Sequence, residues 1–303
     1  MTDIPAPPLR APAPTHPTLK LLSDFSRSRP ALLALIVFTL LILAALTAPW
    51  ITPQNPYDLA QIDVLDARLA PGTKGYGGIT YWLGTDDQGR DLLSGILYGL
   101  QTSLMVGLTT TALALALGLT VGLIAAYMGG RVDNLLMRVV DLQLSFPAVL
   151  LALILLAILG NGIDKVIIAL VAAQWAYYAR TIRSSALVER RKEYVEAARS
   201  LALSDPRVLF GHILPNALPP VIVVAALNMA HAISLEATLS FLGVGAPVTE
   251  PSLGRLIANG YAYMLSGEYW ISVLPGVALL ITIVSINMIG DRLRDLLNPR
   301  GAR

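Results

Sequence analysis

Apolar runs of bilayer-spanning length recur along the chain, and no other feature constrains its fold as strongly. A transmembrane helix needs about 20 mostly apolar residues. The six candidate runs are 31–49, 100–127, 146–159, 163–180, 218–235 and 269–289. The chain is 55% hydrophobic and only 14% charged, which leaves too few charges to cover the surface of a soluble domain. The sequence therefore predicts an all-α membrane protein with six transmembrane helices.

Basic residues orient these spans, because Lys and Arg concentrate in cytoplasmic loops. Six spans place 17 of the 22 Lys and Arg residues on one side, together with both termini and the 189–215 loop. The fourth run is short and contains Gln174. Omitting it would move the charged loop outside and remove the asymmetry. We therefore expect six spans, cytoplasmic N- and C-termini, and an external 50–98 loop.

The segment 193–216 is polar in a chain that is otherwise compatible with lipid. Apolar residues at spacings of three and four predict a helix with one narrow stripe. They are Val195, Ala198 and Leu201 or Ala202. Ser204 or Asp205 can cap a second short helix, and the prolines that follow would break or bend the chain as it re-enters the membrane. By composition alone, a solvated loop helix fits equally well.

Within this segment, Glu196-Ala197-Ala198 followed by Leu214-Pro215 resembles the EAA loop of ABC-importer permeases. In that family the loop is a coupling helix that sits in a cleft of the ATPase subunit. The family usually has Gly at the position of Ala202, so a turn that needs a positive φ would be disfavoured here. The resemblance implies an ATPase-coupling set: Glu193, Glu196, Ala197, Ala198, Arg199, Leu201, Ala202, Asp205 and Pro215. The small and apolar members would seat in the partner, and the charged ones would fix register at its rim.

The segment before the second run carries another motif. Its residues are Gly84, Thr85, Asp86, Gly89, Arg90 and Asp91. It resembles the corresponding segment of the C-type permeases of dipeptide and oligopeptide importers. Further matches extend this resemblance over residues 80–299: Gly130-Arg131-Val132-Asp133, Ser145-Phe146-Pro147, Ser240-Phe241-Leu242-Gly243 and 290–295. Two roles are open, an Asx-type turn network in which Arg90 pairs with Asp86 or Asp91, and direct docking of a binding protein.

The resemblance implies a type I ABC importer (MetI-like) permease fold in a bacterial inner membrane. Its expected divisions are a cytoplasmic tail at 1–30 (disordered in its Pro-rich first part), a first transmembrane helix at 31–49, a periplasmic loop at 50–98, a core permease domain at 99–290 with a coupling helix at 189–210, and a cytoplasmic tail at 291–303.

The same resemblance implies partners: a second, B-type permease, two ABC ATPase subunits and a periplasmic or extracellular substrate-binding protein. ATP and Mg²⁺ would bind the ATPases, with no cofactor on this chain. In that family the same permease type also serves nickel and glutathione import, so the cargo stays open among peptides and these alternatives.

Polar residues within the predicted spans are candidates for a substrate path. They are Gln174, Trp175, Tyr177, Asn228, His231 and Glu236. Asn228 and His231 share a face of the fifth span, where they could bond another helix or line a path for a peptide backbone. Glu236, near the outer end of that span, could meet a substrate amine or pair with Arg255.

Two expectations concern helix packing. Gly118 and Gly122 form a small-xxx-small pair that could be a helix contact. Asp141, near the inner end of the third span, is expected to snorkel or to pair with Arg138.

The motifs of common enzymes and metal sites are missing from the sequence. It has no GxxxxGK[ST], HExxH or GxSxG pattern, no cysteine, and three scattered histidines. We therefore expect no catalytic residues and no metal site. The basic residues follow the membrane side and give no reason to expect nucleic acid. Two alternative functions come from other classes. An ion-coupled transporter or channel would require carboxylates deep in several spans. A structural scaffold would not need the charged helix before Pro215.

Overall fold

The computed structural model describes residues 23–247 and 249–297, which are mostly helical. The tail predicted to be disordered lies outside these residues, as does the end of the chain. The helices are α1 (Arg29–Ile51), α2 (Leu92–Met128), α3 (Gly130–Ser145), α4 (Ala148–Leu159), α5 (Ile163–Glu189), α6 (Glu193–Ser200), α7 (Asp205–Val208), α8 (Leu214–Phe241), α9 (Leu253–Tyr261) and α10 (Trp270–Leu297). Strands β1 (Thr73–Lys74) and β2 (Thr80–Tyr81) pair antiparallel, with Thr73 opposite Tyr81.

Within the described residues, four helical units are long and apolar enough to cross a bilayer: α1, α2, the unit of α7 and α8, and α10. A fifth span is possible where α3 and α4 meet at 91° across a short break. The predicted fourth span is α5, one continuous helix of 27 residues. It is outside this set because charges flank its apolar stretch, with Asp164 and Lys165 at its start and Arg180 and Arg183 near its end. Length and composition therefore support four or five spans of the six predicted.

Glycines on α2 let α5 approach closely. A Cβ added at Gly118 would lie 2.6 Å from the carbonyl oxygen of Trp175. One added at Gly122 would overlap the carbonyl oxygen of Ala179. Small residues at membrane helix interfaces allow backbones to pack in this way. The small-xxx-small contact is confirmed, and α2 and α5 form the centre of the bundle, with α8 packed against both.

Helix α1 packs against the bundle through a stripe of alanines. The buried residues are Ala31, Ala34, Ala45 and Ala48. The opposite face exposes large apolar side chains, including Leu33, Leu40, Leu46 and Trp50. A long helix that is apolar all round is typical of a membrane span, because lipid can cover the face that the protein leaves open.

Helix α3 crosses the end of α5 rather than continuing straight into α4. Asp133 pairs with Arg183, and Asp141 pairs with Arg180. The expected pairing of Asp141 with Arg138 is therefore wrong. The 91° bend between α3 and α4 lays α3 against α5. Asp141 therefore pairs with Arg180 of α5 and not with Arg138 of its own helix.

Long-range contacts show which helix ends lie together. The Arg292 guanidinium on α10 donates to the carbonyl oxygen of Asp24, just before α1. Arg190, after α5, donates to the carbonyl oxygens of Ala126 (3.0 Å) and Tyr127 (3.4 Å) at the end of α2. One cavity is lined by Glu189 and Lys192, on either side of Arg190, and by Leu297 in the last turn of α10, so the two contacts lie at the same end of the bundle. We call this the α6 end of the bundle, and the opposite end, with residues 52–91, the loop end.

Candidate coupling segment, outer loop and polar path

The candidate coupling segment, residues 193–208, projects where α5 stops and α8 begins. The Glu189 carboxylate, at the end of α5, accepts hydrogen bonds from Lys192 Nζ and from the Tyr194 hydroxyl, each at 2.7 Å. These bonds fix the turn between α5 and α6. Acidic residues occupy the first turn of α6 and a basic residue the last, an arrangement that the helix dipole favours.

The apolar stripe of α6 packs inward, against its own chain. Val195 and Ala198 are buried in a cluster that includes Ile182, Val208 and Ala217, from α5, α7 and α8. Ala198 is only 5% exposed, so it is not available to a partner, contrary to what the stripe suggested. The stripe holds the segment to the bundle.

The opposite face of the segment is open. The exposed members of the predicted set are Glu193, Glu196, Ala197, Arg199, Leu201, Ala202, Asp205 and Pro215. Leu201 is 76% exposed, a large apolar side chain that lies between the exposed Arg199 and Asp205 in the sequence. The carboxylate of Asp205 lies beside the Tyr127 hydroxyl of α2. The segment is thus tied to α2, α5 and α8 and still presents a surface to a partner.

Helix α6 ends in a Schellman motif with Ala202 in the left-handed conformation, at φ +55°. The N–H of Leu203 donates to the carbonyl oxygen of Ala198 (3.3 Å), and that of Ala202 to the carbonyl oxygen of Arg199 (2.9 Å). These two bonds define the motif. An L-residue in this conformation costs about 1–2 kcal/mol. The turn that the alanine was expected to disfavour is therefore present, held by its two bonds and by the packing of Ala198 beneath it.

Prolines do not break the chain where it returns to the bundle. Pro206 lies in the first turn of α7, where a backbone N–H has no carbonyl partner within the helix, so proline is tolerated there. Pro215 is the second residue of α8. A π turn at Leu209–Ile213 joins the two helices, and Pro219 and Pro220 lie inside α8. Of the predicted break or bend, the break is not found, because α7 and α8 run on as one unit of 37 residues. The coupling segment is therefore continuous with a long helix of the bundle.

The outer-loop motif forms a turn network. Asp86 Oδ1 accepts the backbone N–H groups of Gln88 and Arg90, both at 2.9 Å. Gly84 and Gly89 both have positive φ, and a Cβ at Gly89 would overlap the carbonyl oxygen of Asp63. The network thus requires glycine at both positions.

The other motif residues attach this network to the protein. Thr85 donates to the carbonyl oxygen of Asp66 at 2.5 Å. Asp91 caps α2 by accepting the N–H of Ser94 at 2.8 Å. These bonds confirm the Asx-type network, one of the two expected roles.

The ion pair expected within the motif is wrong. The Arg90 guanidinium lies 5.7 Å from the ring centroid of Tyr57, a cation–π distance, and no salt bridge joins it to an acid in the described chain. Asp86 is buried together with Arg90, Thr85 and Asp91. Burial raises the pKa of Asp86 to about 6, although its two N–H bonds act to lower it. These side chains hold the loop together and leave little surface for direct docking.

The polar candidates within the spans do not form one lining. Gln174 is fully buried, and both polar atoms of its amide lack a hydrogen-bond partner among the described residues. Trp175 and Asn228 are half-buried, whereas Tyr177 and His231 are exposed. Asn228 and His231, expected on one face, thus differ in exposure. The exposed pair faces outward from this chain, and Gln174 faces its interior.

Glu236 is enclosed and does not face a path. It is 1% exposed, and its carboxylate accepts the hydroxyls of Ser103 (3.0 Å) and Ser240 (2.7 Å). The expected pairing with Arg255 is wrong, since the bonded partners of Glu236 are hydroxyl groups. A substrate amine has no access to it in this conformation.

A cavity that the sequence did not indicate opens at the α6 end, between α5 and α8. Its volume is about 730 Å³. Polar lining residues include Arg180, Thr181, Ser184, Ser185, Lys192 and Asn216. An adjoining cavity of about 470 Å³ shares Thr181 and Pro220 and is more apolar. Hydroxyl residues at spacings of three and four on α5 are the signal that could have identified this face.

Two family patterns match the chain. The family described as "Binding-protein-dependent transport system inner membrane component" matches residues 118–303. The family described as "N-terminal TM domain of oligopeptide transport permease C" matches residues 20–71. The first match covers the end of α2 and all of α3 to α10 with the coupling segment, and the second covers α1.

Several relatives match nearly the whole chain. It is 38% identical over 265 residues to the "Probable D,D-dipeptide transport system permease protein DdpC" of Escherichia coli K12, over 88% of this chain and 86% of the relative. It is 35% identical over 277 residues to the dipeptide transport system permease protein DppC of Alkalihalophilus pseudofirmus (91% and 88%). It is 35% identical over 278 residues to the di/tripeptide transport system permease protein DppC of Pseudomonas aeruginosa (91% and 90%).

Solved structures share the fold. A chain of the inward-facing MetNI methionine ABC transporter superposes with a TM-score of 0.54 at 21% identity, over 67% of this chain and 96% of that chain. At 21% identity this similarity supports a shared fold and nothing more. That fold is an all-helical arrangement of the kind found in ABC importers.

Proposed function

Because this chain belongs to the family of inner membrane components of binding-protein-dependent transport systems, we propose that it is the C-type permease of a bacterial peptide importer. It forms half of the translocation pathway, and a second permease of the B type forms the other half. The relatives named for dipeptide and di/tripeptide transport support short peptides as cargo. An external binding protein delivers the peptide, and two ATPase subunits bind ATP and Mg²⁺.

The exposed face of the coupling segment is the observation on which this proposal rests. It presents Leu201 between charged side chains while Val195 packs inward. A motor subunit that holds this face can displace α5 and α8 together, because the segment is continuous with both. Lever motion of this type links a closing ATPase pair to opening and closing of the path.

We propose six membrane spans: α1, α2, α4 together with the preceding α3, α5, α8 and α10. The contact between Asp24 and Arg292 supports an even number of crossings between those residues. Arg190 contacts the end of α2, so the chain between these two points begins and ends on the same side of the membrane. This supports a membrane crossing by both α4 and α5 or by neither.

The full length of α5 favours crossing by both. Near its start, Val166 packs in one cluster with Val106 of α2 and Leu239 of α8. Near its end, Ile182 faces Gly122 of α2. Helix α5 thus runs beside α2 across the bundle, and six spans keep the α6 end on the side with most Lys and Arg, the cytoplasm.

Substitution of Leu201 tests the coupling face. Leu201→Asp places a charge where a partner would bury an apolar side chain, and a loss of about 1.4 kcal/mol corresponds to tenfold weaker binding. We expect at least tenfold less ATPase subunit to co-purify with this variant, and uptake of a labelled dipeptide to fall with it. Glu196→Lys should also abolish uptake while leaving membrane insertion intact.

Leu265→Asp is the matched control, since Leu265 is fully exposed at the opposite end of the bundle. It should retain the ATPase and the uptake. Normal ATPase recovery and uptake with Leu201→Asp would contradict the proposed coupling face.

A further inference from the structure

The buried carboxylate of Glu236 lies where three parts of the chain meet at the loop end. Its Oε2 accepts the hydroxyl of Ser103 on α2, and its Oε1 accepts that of Ser240, one turn along α8. The hydroxyl of Ser252, the N-cap of α9, lies beside the same carboxylate. We call these four residues the Glu236 anchor.

The serines are oriented to donate to Glu236. The Ser240 oxygen accepts the backbone N–H of Ala246 (3.0 Å), and the Ser252 oxygen accepts that of Arg255 (3.3 Å). Their hydroxyl protons therefore point elsewhere, and the carboxylate is the acceptor beside both. The two carboxylate oxygens are therefore the acceptors for these hydroxyl donors.

The backbones around the anchor pack too closely for independent movement. A Cβ at Gly254, in the first turn of α9, would overlap the carbonyl oxygen of Ala237 on α8. One at Gly99 of α2 would lie 3.1 Å from the backbone nitrogen of Leu253. The outer ends of α2 and α8 and the start of α9 therefore form one closely fitted unit with the carboxylate inside it.

We propose that Glu236 is a positioning residue that makes α9 move with the outer ends of α2 and α8. Both helices meet the coupling segment at their other ends, α8 by continuity through the π turn and α2 through the contact of Tyr127 with Asp205. Arg190, in the turn just before the segment, also bonds the end of α2. Displacement of the coupling segment then reaches the external face of the path through this anchor. The inference rests on the proposed function, since it assigns the way in which the same machine transmits motion.

The Glu236 anchor does not contact the transported peptide. Glu236 is enclosed, and the groups that bond it are fully buried. Its loss should therefore uncouple ATP hydrolysis from transport without weakening delivery of peptide by the binding protein.

The test uses the complete importer in proteoliposomes with labelled dipeptide. Glu236→Ala should lower uptake at least tenfold while the ATPase subunits still co-purify and still hydrolyse ATP. Thr238→Ala is the matched control, because Thr238 on the same helix is exposed and, among the residues that the structure describes, its hydroxyl bonds only the carbonyl oxygen of Ser234. It should transport normally.

A rescue experiment distinguishes loss of the positioning role of Glu236 from damage to folding. The rings of Phe241 and Tyr261 lie 5.9 Å apart, at the last residues of α8 and α9, and the chain contains no cysteine. Cysteines at these two positions, bridged by a short bis-maleimide, should leave an otherwise unaltered importer active. In the Glu236→Ala background the bridge should restore at least half of the uptake.

Three results would overturn the anchor: normal uptake by Glu236→Ala, loss of uptake when the bridge is formed in the otherwise unaltered chain, or failure of the bridge to rescue a folded Glu236→Ala importer. If Glu236→Ala is not recovered from membranes, Ser103→Ala, which removes one donor, is judged by the same criteria. Absence of dipeptide uptake or of ATPase association in the unaltered importer would instead refute the proposed function.

Discussion

Ala202 stands in the left-handed conformation at the turn that follows the exposed Leu201. Because glycine adopts this conformation without steric cost, we expect Ala202→Gly to stabilise the protein by about 1 kcal/mol. Thermal unfolding of the purified chain in detergent measures this change. The gain is partly offset by the greater freedom of glycine in the unfolded chain.

Ala197→Gly is the control for Ala202→Gly. Ala197 is exposed within α6, where glycine is expected to destabilise a helix by about 1 kcal/mol. The two substitutions should therefore shift the melting temperature in opposite directions. A decrease for both would show that the turn does not strain Ala202.

Asp86 predicts a dependence of stability on pH. Burial raises its pKa from 3.8 to about 6, so its neutral form favours the folded loop, and this contribution is lost as pH rises through 6. Asp86→Asn keeps the Oδ1 acceptor without the charge. As pH rises from 4.5 to 7.5, the free energy of unfolding of Asp86→Asn minus that of the unaltered chain should increase by about 2 kcal/mol.

Limited proteolysis and thermal unfolding across this pH range measure that difference. Glu250→Gln, at an exposed acid near the same end, should follow the unaltered chain at every pH. A constant difference between Asp86→Asn and the unaltered chain would refute the prediction.

At the scale of elements, the contact of α2 with α5 depends on the absence of a side chain at Gly118. A Cβ there would lie 2.5 Å from Tyr178 Cβ and 2.6 Å from a backbone oxygen, and backbone cannot move aside as a flexible side chain can. We expect Gly118→Ala to destabilise the folded protein by about 1–3 kcal/mol, as overpacking does in other cores.

Gly276→Ala on α10 is the matched substitution. An added Cβ at Gly276 meets no atom within 4 Å, and alanine favours a helix over glycine. The melting temperature in detergent should fall for Gly118→Ala and stay level or rise for Gly276→Ala. Equal effects would mean that α2 and α5 can separate freely.

At the scale of the whole molecule, the proposed six spans place particular residues on opposite sides of the membrane. In this cysteine-free chain, single cysteines can replace the exposed residues Asn161, Leu201 and Leu265. An impermeant maleimide should label positions 161 and 265 in intact spheroplasts, and position 201 only in inverted vesicles. Labelling of position 161 from the cytoplasmic side would mean that α4 and α5 do not cross, leaving four spans.

The sequence by itself determined the membrane class, most span positions, the polar helical segment 193–208 and the permease family. These properties are sums or patterns over neighbouring residues: hydropathy over about 20 positions, the distribution of Lys and Arg, and short motifs. It also indicated the turn network of residues 84–91 as one of two possible roles, because glycine and Asp at fixed offsets are local signals.

Only the tertiary structure decided which faces and partners these residues have. It turned Ala198 inward, gave Asp141 to Arg180 rather than Arg138, and enclosed Glu236 among serines rather than beside Arg255. The physical reason is that the rotation of a helix about its axis, and the pairing of side chains distant in sequence, follow from how whole helices pack. That packing minimises overlap and unpaired polar groups over the entire bundle, and no local window of sequence contains it.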